Sequence, residues 1–283
     1  RGERGGVVLM PGRLIVCPTP IGNLEDLSPR ARRALEEADL VACEDTRRAG
    51  RLYERLEIRR PRLVSNHEQN EVERARQLAA QIERGAKVVL ISDAGTPAIS
   101  DPGFRLIRAC IERDLEVEVL PGPSAVTTAL VASGLPVDRW RFEGFLPRRP
   151  GELERVLGSP ETVVAFESPR RLPASLSALA ALAPDRDAAV CRELTKLHEE
   201  VARGTLGELA RRFRDDVKGE IVVVIAPASA RAEGPDVAFA VDALRRLVQS
   251  GARPRAAASV VAALTGTRAN DLYRGLTGRD PRE

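Results

Sequence analysis

Residues Val88 to Pro102 read Val-Val-Leu-Ile-Ser-Asp-Ala-Gly-Thr-Pro-Ala-Ile-Ser-Asp-Pro, and no other stretch limits the fold of this chain so closely. The unbroken apolar run from Val88 to Ile91 predicts a strand covered on both faces. Ser92, Asp93, Gly95, Thr96 and Pro97 predict a loop whose small side chains leave its amides open to a ligand. Asp101-Pro102-Gly103 opens the next helical pattern, with Asp101 as N-cap and Pro102 at the first helical position. Strand, polar loop and helix start, in that order, make a ligand site at the carboxyl end of a sheet. An ordinary βα turn uses the same residue types, so this loop alone leaves site and turn both open.

The pattern recurs along the chain. Arg13 to Cys17 stops in Pro18-Thr-Pro-Ile-Gly-Asn23, Leu40 to Cys43 in Glu44-Asp-Thr-Arg47, and Glu116 to Leu120 in Pro121-Gly-Pro-Ser124. Leu63 to Ser65 runs into Asn66, His67 and Glu68. Helical patterns separate these strands, one of them opened by Ser28-Pro29 as N-cap and first-turn proline and running through Ala38. Strands alternating with helices, each strand ending in a polar loop, predict an open α/β sheet with ligand groups at one edge. The second half repeats the alternation: Thr162 to Phe166 ends in Glu167-Ser-Pro169 and Ala188 to Cys191 in Arg192-Glu-Leu-Thr-Lys196; Lys218-Gly-Glu220 is counted with these polar strand exits, beside a strand Glu220 to Ile225. Three further helical patterns lie beyond Val237. The expected division is an N-terminal extension lacking order at 1–12, α/β domains at 13–122 and 123–227, a linker at 228–235 and a helical tail at 236–283.

Composition narrows the function. The 283 residues hold no run near the roughly 18 apolar residues of a membrane helix, so no membrane partner is expected. Arg1 to Leu9 resembles no secretory signal, and Met10, the sole methionine, marks an expected natural start. Cys17, Cys43, Cys110 and Cys191 lack CxxC spacing and read as core residues in a reducing compartment. With only His67 and His198 beside them, no metal site is expected. The net charge is +3, but eight arginines against three acids from Ala243 to Glu283 give that segment +5 and leave the rest at −2. A basic tail suits a polyanion, although a solvated helix face has the same composition.

Taken in order, the polar motifs around Pro18, Glu44, Ser92, Pro121, Glu167, Arg192 and Lys218 resemble the tetrapyrrole (corrin/porphyrin) methylase superfamily over Leu14 to Gly275. Within it they resemble the branch of 16S rRNA (cytidine 2′-O)-methyltransferases. The resemblance implies two α/β domains with an S-adenosylmethionine (SAM) cleft between them, a small C-terminal helical module, a homodimer, a cytoplasmic location and 16S rRNA or the small ribosomal subunit as partner. By similarity Pro20, Ala94, Gly95, Thr96, Ile99, Ser124, Ala125, Glu167 and Leu194 match cofactor-holding positions, with Asp93 beside them. Where the corrin enzymes carry a Gly-x-Gly-Pro-Gly-Asp loop, this chain has Pro18 to Asn23, which moves the expected substrate away from tetrapyrroles.

Methyl transfer to a ribose hydroxyl depends first on holding donor and nucleophile in line, worth up to ~7–11 kcal/mol of barrier. A positioned base adds roughly 10²–10⁴-fold. Asp93, Asp101, His67 and Glu167 are the candidates, and proximity without a dedicated base stays open. Asp101 has a competing role as an N-cap, and His67 as an ordinary loop residue. For RNA, Arg148, Arg149, Arg170, Arg171 and Lys196 suit phosphates along the cleft rim, and Arg255, Arg268, Asn270, Tyr273 and Arg274 suit structured RNA at the tail. A tetrapyrrole methylase and a catalytically silent assembly factor binding SAM and RNA are the alternatives.

Overall fold

The structure, a computed structural model, describes residues 12–215, 217–228, 237–265, 267 and 269–277. The expected extension at 1–12 lies outside them save for Gly12, as does all of the expected linker except Ala228. The described residues divide into two compact units, one through Leu157 and from Glu161 to Ala226, the other Gly158–Pro160 and from Pro227 onward.

The first unit holds two sheets. Strands β1 (Arg13–Val16), β2 (Leu40–Cys43), β3 (Arg62–Ser65), β4 (Lys87–Leu90) and β5 (Glu116–Val119) pair in parallel in the order β3-β2-β4-β1-β5. Central β1, β2 and β4 are nearly all buried, as their apolar runs require when helices cover both faces. Alternate residues serve opposite layers. Leu14, Val16, Val88 and Leu90 pack with α3 (Glu71–Glu83) and α4 (Phe104–Ile111), whereas Ile15, Val41 and Val89 pack with α1 (Pro29–Glu36) and α2 (Thr46–Leu56). Ser28 caps α1 as its sequence predicts, accepting the Ala31 N–H at 3.1 Å with Pro29 next to it. Edge strand β5 is Glu-Val-Glu-Val, and its charges, paired with Arg13 and Arg30, blunt it against further pairing.

After α5 (Ala125–Ser133) come β6 (Trp140–Phe145), α6 (Pro150–Leu157), β7 (Thr162–Glu167), α7 (Leu172–Leu182), β8 (Asp187–Arg192), β9 (Glu200–Thr205), α8 (Leu206–Arg212) and β10 (Ile221–Ile225). The order is β6-β7-β10-β8-β9, with β6 parallel to β7 and the remaining pairs antiparallel. This mixed sheet departs from simple repetition of the first. Strand β9, Glu-Val-Ala-Arg-Gly-Thr, has no apolar run to announce it, and it is an edge strand. Lys218-Gly-Glu220 turns out to enter a strand, yet the antiparallel direction of β10 puts Ile221 opposite both Glu167 and Arg192, at the edge where β7 and β8 end.

The second unit contains α9 (Val237–Gln249), α10 (Pro254–Thr265) and α11 (Ala269–Thr277) around Ala240, Leu244, Ala258, Val261 and Leu272. No helix among the described residues is long and apolar enough to cross a membrane.

Candidate active site

The exits of all five strands of the first sheet are laced together. Thr19 and Gly95 exchange backbone hydrogen bonds at 2.9 and 3.0 Å, tying the β1 exit to the β4 exit. Thr96 Oγ1 donates to the Pro123 carbonyl at 3.1 Å and brings in the β5 exit. The Asp45 N–H donates to Asp93 Oδ1 at 3.2 Å, and Arg48 pairs with Asp93 Oδ2 at 3.3 Å, which fixes the start of α2 after β2. Finally the Asn66 N–H donates to the Cys43 carbonyl at 2.8 Å.

The β1 exit also reaches the second sheet. Ile21 packs with Val164, Cys191, Leu194 and Val222, and the Asn23 N–H donates to Thr195 Oγ1 at 3.1 Å. Two of these loops hold unusual backbone. Gly95, Ala98, Ser100 and Gly103 follow β4 with positive φ, and Glu193 and Thr195 follow β8 likewise. Four of the six described non-glycine residues in the left-handed region therefore fall in two loops. Each costs about 1 kcal/mol or more, a pattern typical of segments shaped for a ligand rather than for stability.

Between the sheets of this unit lies a cavity of about 370 Å³, within the range of small-molecule sites. Of the cofactor positions implied by the family resemblance, Ala94, Gly95, Thr96, Ile99, Ser124, Ala125, Glu167 and Leu194 line it, and Asp101 joins them. Pro20 and Asp93 instead line a neighbouring cavity of about 430 Å³ that shares Ile21, Ala94 and Glu220 with the first. The two differ in charge. Asp101, Glu167 and Glu220 line the first without any lysine or arginine, whereas Arg48, Arg51, Arg55 and Lys196 line the second. Apolar walls that the motifs gave no reason to select, among them Phe145 and Phe166 at 5.7 Å between ring centroids, complete the first cavity.

The acid–base candidates separate by environment. Asp101 is not an N-cap: α4 begins at Phe104, and Gly103 takes the cap position. Pro102 therefore precedes the helix, because the left-handed turns up to Gly103 delay its start. Burial pushes the Asp101 carboxyl up to about 6, and the charges of Glu44, Asp93 and Glu220 add to the shift. Burial likewise raises Asp93 and Glu44. Glu167, with its side chain wholly buried, accepts from the Ser168 N–H and Ser175 Oγ, each at 2.6 Å, and pairs with Arg171 at 3.2 Å. His67 lines neither cavity, and the Asn70 amide lies 3.2 Å from its Nε2, to which it can only donate.

The basic candidates also scatter. Arg148, Arg149 and Arg170 are exposed, whereas Arg171 turns inward to Glu167 and donates to the Leu146 carbonyl at 2.7 Å. Lys196 bridges Glu193 at 2.8 Å and Glu220 at 3.0 Å; burial opposes its charge, but these hydrogen bonds outweigh that and raise its pKa. In the second unit the Arg255 guanidinium lies 6.0 Å from the Tyr273 ring centroid, and Arg274 is exposed on α11. Arg268 and the side chain of Asn270 lie outside the described residues.

An α/β unit whose strand exits converge on a cavity between two sheets has the form of a small-molecule-binding enzyme, and its likeness to known proteins says which class. The chain belongs to the tetrapyrrole (corrin/porphyrin) methylase family, whose pattern matches residues 13–210. It is 48% identical over 269 residues to ribosomal RNA small subunit methyltransferase I of Mycobacterium tuberculosis (strain ATCC 25618 / H37Rv), covering 93% of each chain. To the protein of the same name from Mesorhizobium japonicum it is 47% identical over 272 residues, covering 93% of this chain and 90% of that one. Its fold is similar to that of uroporphyrin-III C-methyltransferase from Thermus thermophilus, solved with S-adenosyl homocysteine, at a TM-score of 0.55 and 21% identity over 76% of this chain and 97% of that one.

Proposed function

We propose that this chain transfers a methyl group from S-adenosylmethionine to the 2′-hydroxyl of a cytidine in the 16S rRNA of the small ribosomal subunit. Ribosomal RNA is the substrate in the names of relatives nearly half identical to it over nine-tenths of its length, which favours RNA over a tetrapyrrole. The observation that carries the reading is the cavity beside Gly95, apolar on its walls and lined by three carboxylates: Glu167 and Glu220 are paired with Arg171 and Lys196 from outside the lining, and Asp101 has no ion pair among the described residues. That lining fits the sulfonium and ammonium of the cofactor, while its carboxylate calls for backbone N–H donors such as the small-residue loops offer. When bound, S-adenosylmethionine supplies an electrophilic methyl on a sulfonium.

The chain's own residues then have distinct tasks. Ala94, Gly95, Ser124 and Ala125 hold the cofactor through closely approaching backbone, and Phe145 and Phe166 exclude water. Glu167, held by Ser168, Ser175 and Arg171, shapes the floor. Asp101 takes the hydroxyl proton on a carboxylate oxygen, supported by its place in the cavity and by a basicity matched to neutral pH. Exposed Arg148, Arg149 and Arg170 and the tail residues Arg255 and Arg274 meet RNA phosphates. The same reading has the enzyme at work in the cytoplasm as a homodimer.

The test is incubation with methyl-labelled SAM and small subunits from cells lacking the modification. Label on one cytidine ribose is expected. Binding of SAM and subunits without transfer identifies the silent assembly factor instead. Thr96→Arg, which fills the cavity, is expected to abolish calorimetric SAM binding.

A further inference from the structure

The second cavity has no task in the reaction described so far. Three of its cations come from one stripe of α2: Arg48, Arg51 and Arg55, at helical spacings that place them on a single face. The helix carries four arginines and only one acid, Glu54, which is not part of the cavity. An ordinary solvated helix face mixes both signs. Here the cavity's own carboxylates neutralise only part of the charge: Asp93 pairs with Arg48 at 3.3 Å and Glu220 with Lys196 at 3.0 Å. Arg51 and Arg55 have no ion pair or side-chain hydrogen bond among the described residues. Two forked, permanently charged donors thus face an open cavity one helical turn apart, about 6 Å of rise, comparable to the step between neighbouring phosphates on an RNA strand.

Position makes the charge specific. The cavity shares Ile21, Ala94 and Glu220 with the proposed cofactor cavity, so an occupant of one abuts an occupant of the other. A reacting 2′-hydroxyl is one sugar carbon away from the carbon bearing its own 3′-phosphate, so a phosphate seat has to adjoin the methyl donor. Guanidinium groups suit that seat because they bind phosphate oxygens in pairs.

We infer that Arg51 and Arg55 hold two successive backbone phosphates of the target RNA strand beside the reacting nucleotide, making them positioning residues of the acceptor. This rests on the RNA-methylating function proposed above. The Arg48–Asp93 pair, next in sequence to the shared Ala94, orders the first turn of α2, and Arg51 and Arg55 follow it on later turns of the same helix.

The test uses the full chain with both arginines replaced, R51Q/R55Q, and unmodified small subunits. Filter binding is expected to show a Kd about tenfold higher at 0.15 M salt and a salt-dependence slope smaller by roughly 1.4, the loss of two single-strand phosphate contacts. Calorimetric SAM affinity is expected to stay within about twofold, because neither side chain lines that cavity. The charge-conserving R51K/R55K is expected to restore most of the slope, and Arg76→Gln, on an exposed face of α3, to change nothing. An unchanged Kd and slope in R51Q/R55Q overturns the inference, as does a wild-type protein that does not bind subunits. If wild type binds subunits and transfers no methyl, the proposed reaction fails, while the binding comparison still decides the role of the two arginines.

Discussion

The carboxylate of Glu71 accepts the backbone N–H of Gly103 at 2.7 Å, and with it that of Arg105 at 3.1 Å, so that α4 is capped by the first residue of α3. Gly103 is buried with φ +140, and a Cβ there would sit 2.8 Å from Leu90 Cδ2. Glu71 therefore anchors the far end of the turn that begins at Gly95. Glu71→Ala removes the acceptor of a buried N–H and is expected to cost about 1–2 kcal/mol. A lower urea midpoint and faster exchange of the Gly103 amide would show it. Methyl transfer should fall too, because Asp101 lies between the two anchors.

Relief from capping leaves Asp101 free to titrate. Its carboxyl is raised to about 6 by burial and by Glu44, Asp93 and Glu220, so it becomes a competent proton acceptor only as the pH passes that value. The single-turnover rate of wild type is expected to rise through pH 6 and level off above 7. Asp101→Asn should remove that limb and lower the rate roughly 10²–10⁴-fold. Stability runs the other way. A carboxyl with a higher pKa folded than unfolded keeps its proton in the folded chain after the unfolded chain has ionised, so stability falls as the pH rises from about 4 to 6. Asp101→Asn is thus expected to stabilise the protein at pH 7.5 by on the order of 1–2 kcal/mol and to have little effect at pH 3.5. A residue serving only as a helix cap would do the reverse.

Asp101 also shows which parts of the site were legible in the sequence. The β4 exit at Ala94-Gly95-Thr96 was readable as a loop because an apolar run stops there in turn-formers, but the residues alone left site and plain turn both open, and Ser124-Ala125 came only from the family resemblance. Parallel β1 to β5 followed from the same signal. Strand β9 was hidden because an edge strand needs no continuous apolar face, and the direction of β10 was hidden because antiparallel and parallel strands share one composition. Arg51 and Arg55 looked like ordinary helix arginines, since only the folded chain shows which helix face turns toward a cavity. Glu71 was out of reach for the same reason: its partner is 32 residues away. Local chemistry was written in the sequence, whereas contacts made across elements were not.

Neighbouring arginines 170 and 171, alike in sequence, should behave differently. Arg171 pairs with the wholly buried carboxylate of Glu167 at 3.2 Å, whereas Arg170 is exposed. Removing Arg171 leaves the buried Glu167 carboxylate with only its Ser168 and Ser175 hydrogen bonds and no counter-charge, a loss of roughly 2–3 kcal/mol, below the ~3–5 kcal/mol of a fully buried pair. Arg171→Ala is therefore expected to lower the thermal midpoint by several degrees and weaken SAM binding through the displaced Glu167. Arg170→Ala should leave the midpoint unchanged and reduce only the affinity for small subunits. Equal midpoints for the two variants would mean that the Arg171–Glu167 pair does not hold the cavity floor.

Gly22 tests whether the two sheets must meet closely for the cavity to exist. A Cβ there would collide with Lys196 Cγ and lie 2.6 Å from Thr195 Oγ1 and 3.0 Å from the Leu194 carbonyl oxygen. Swinging the Lys196 side chain aside gives up its ion pairs with Glu193 and Glu220, the Leu194 carbonyl is backbone and cannot rotate away, and Thr195 already has left-handed backbone. Gly22→Ala must therefore push the β1 exit away from the β8 exit. Separation breaks the Asn23–Thr195 hydrogen bond and draws Ile21 out of its packing against Leu194. SAM affinity is expected to fall at least about tenfold, equivalent to ~1.4 kcal/mol, with a larger loss for Gly22→Val. Crowding of this kind costs typically 1–3 kcal/mol of stability, which leaves a domain of this size folded. Thermal unfolding should thus remain cooperative while binding weakens. Wild-type affinity in both variants would mean that the cofactor cavity does not depend on the contact between the β1 and β8 exits.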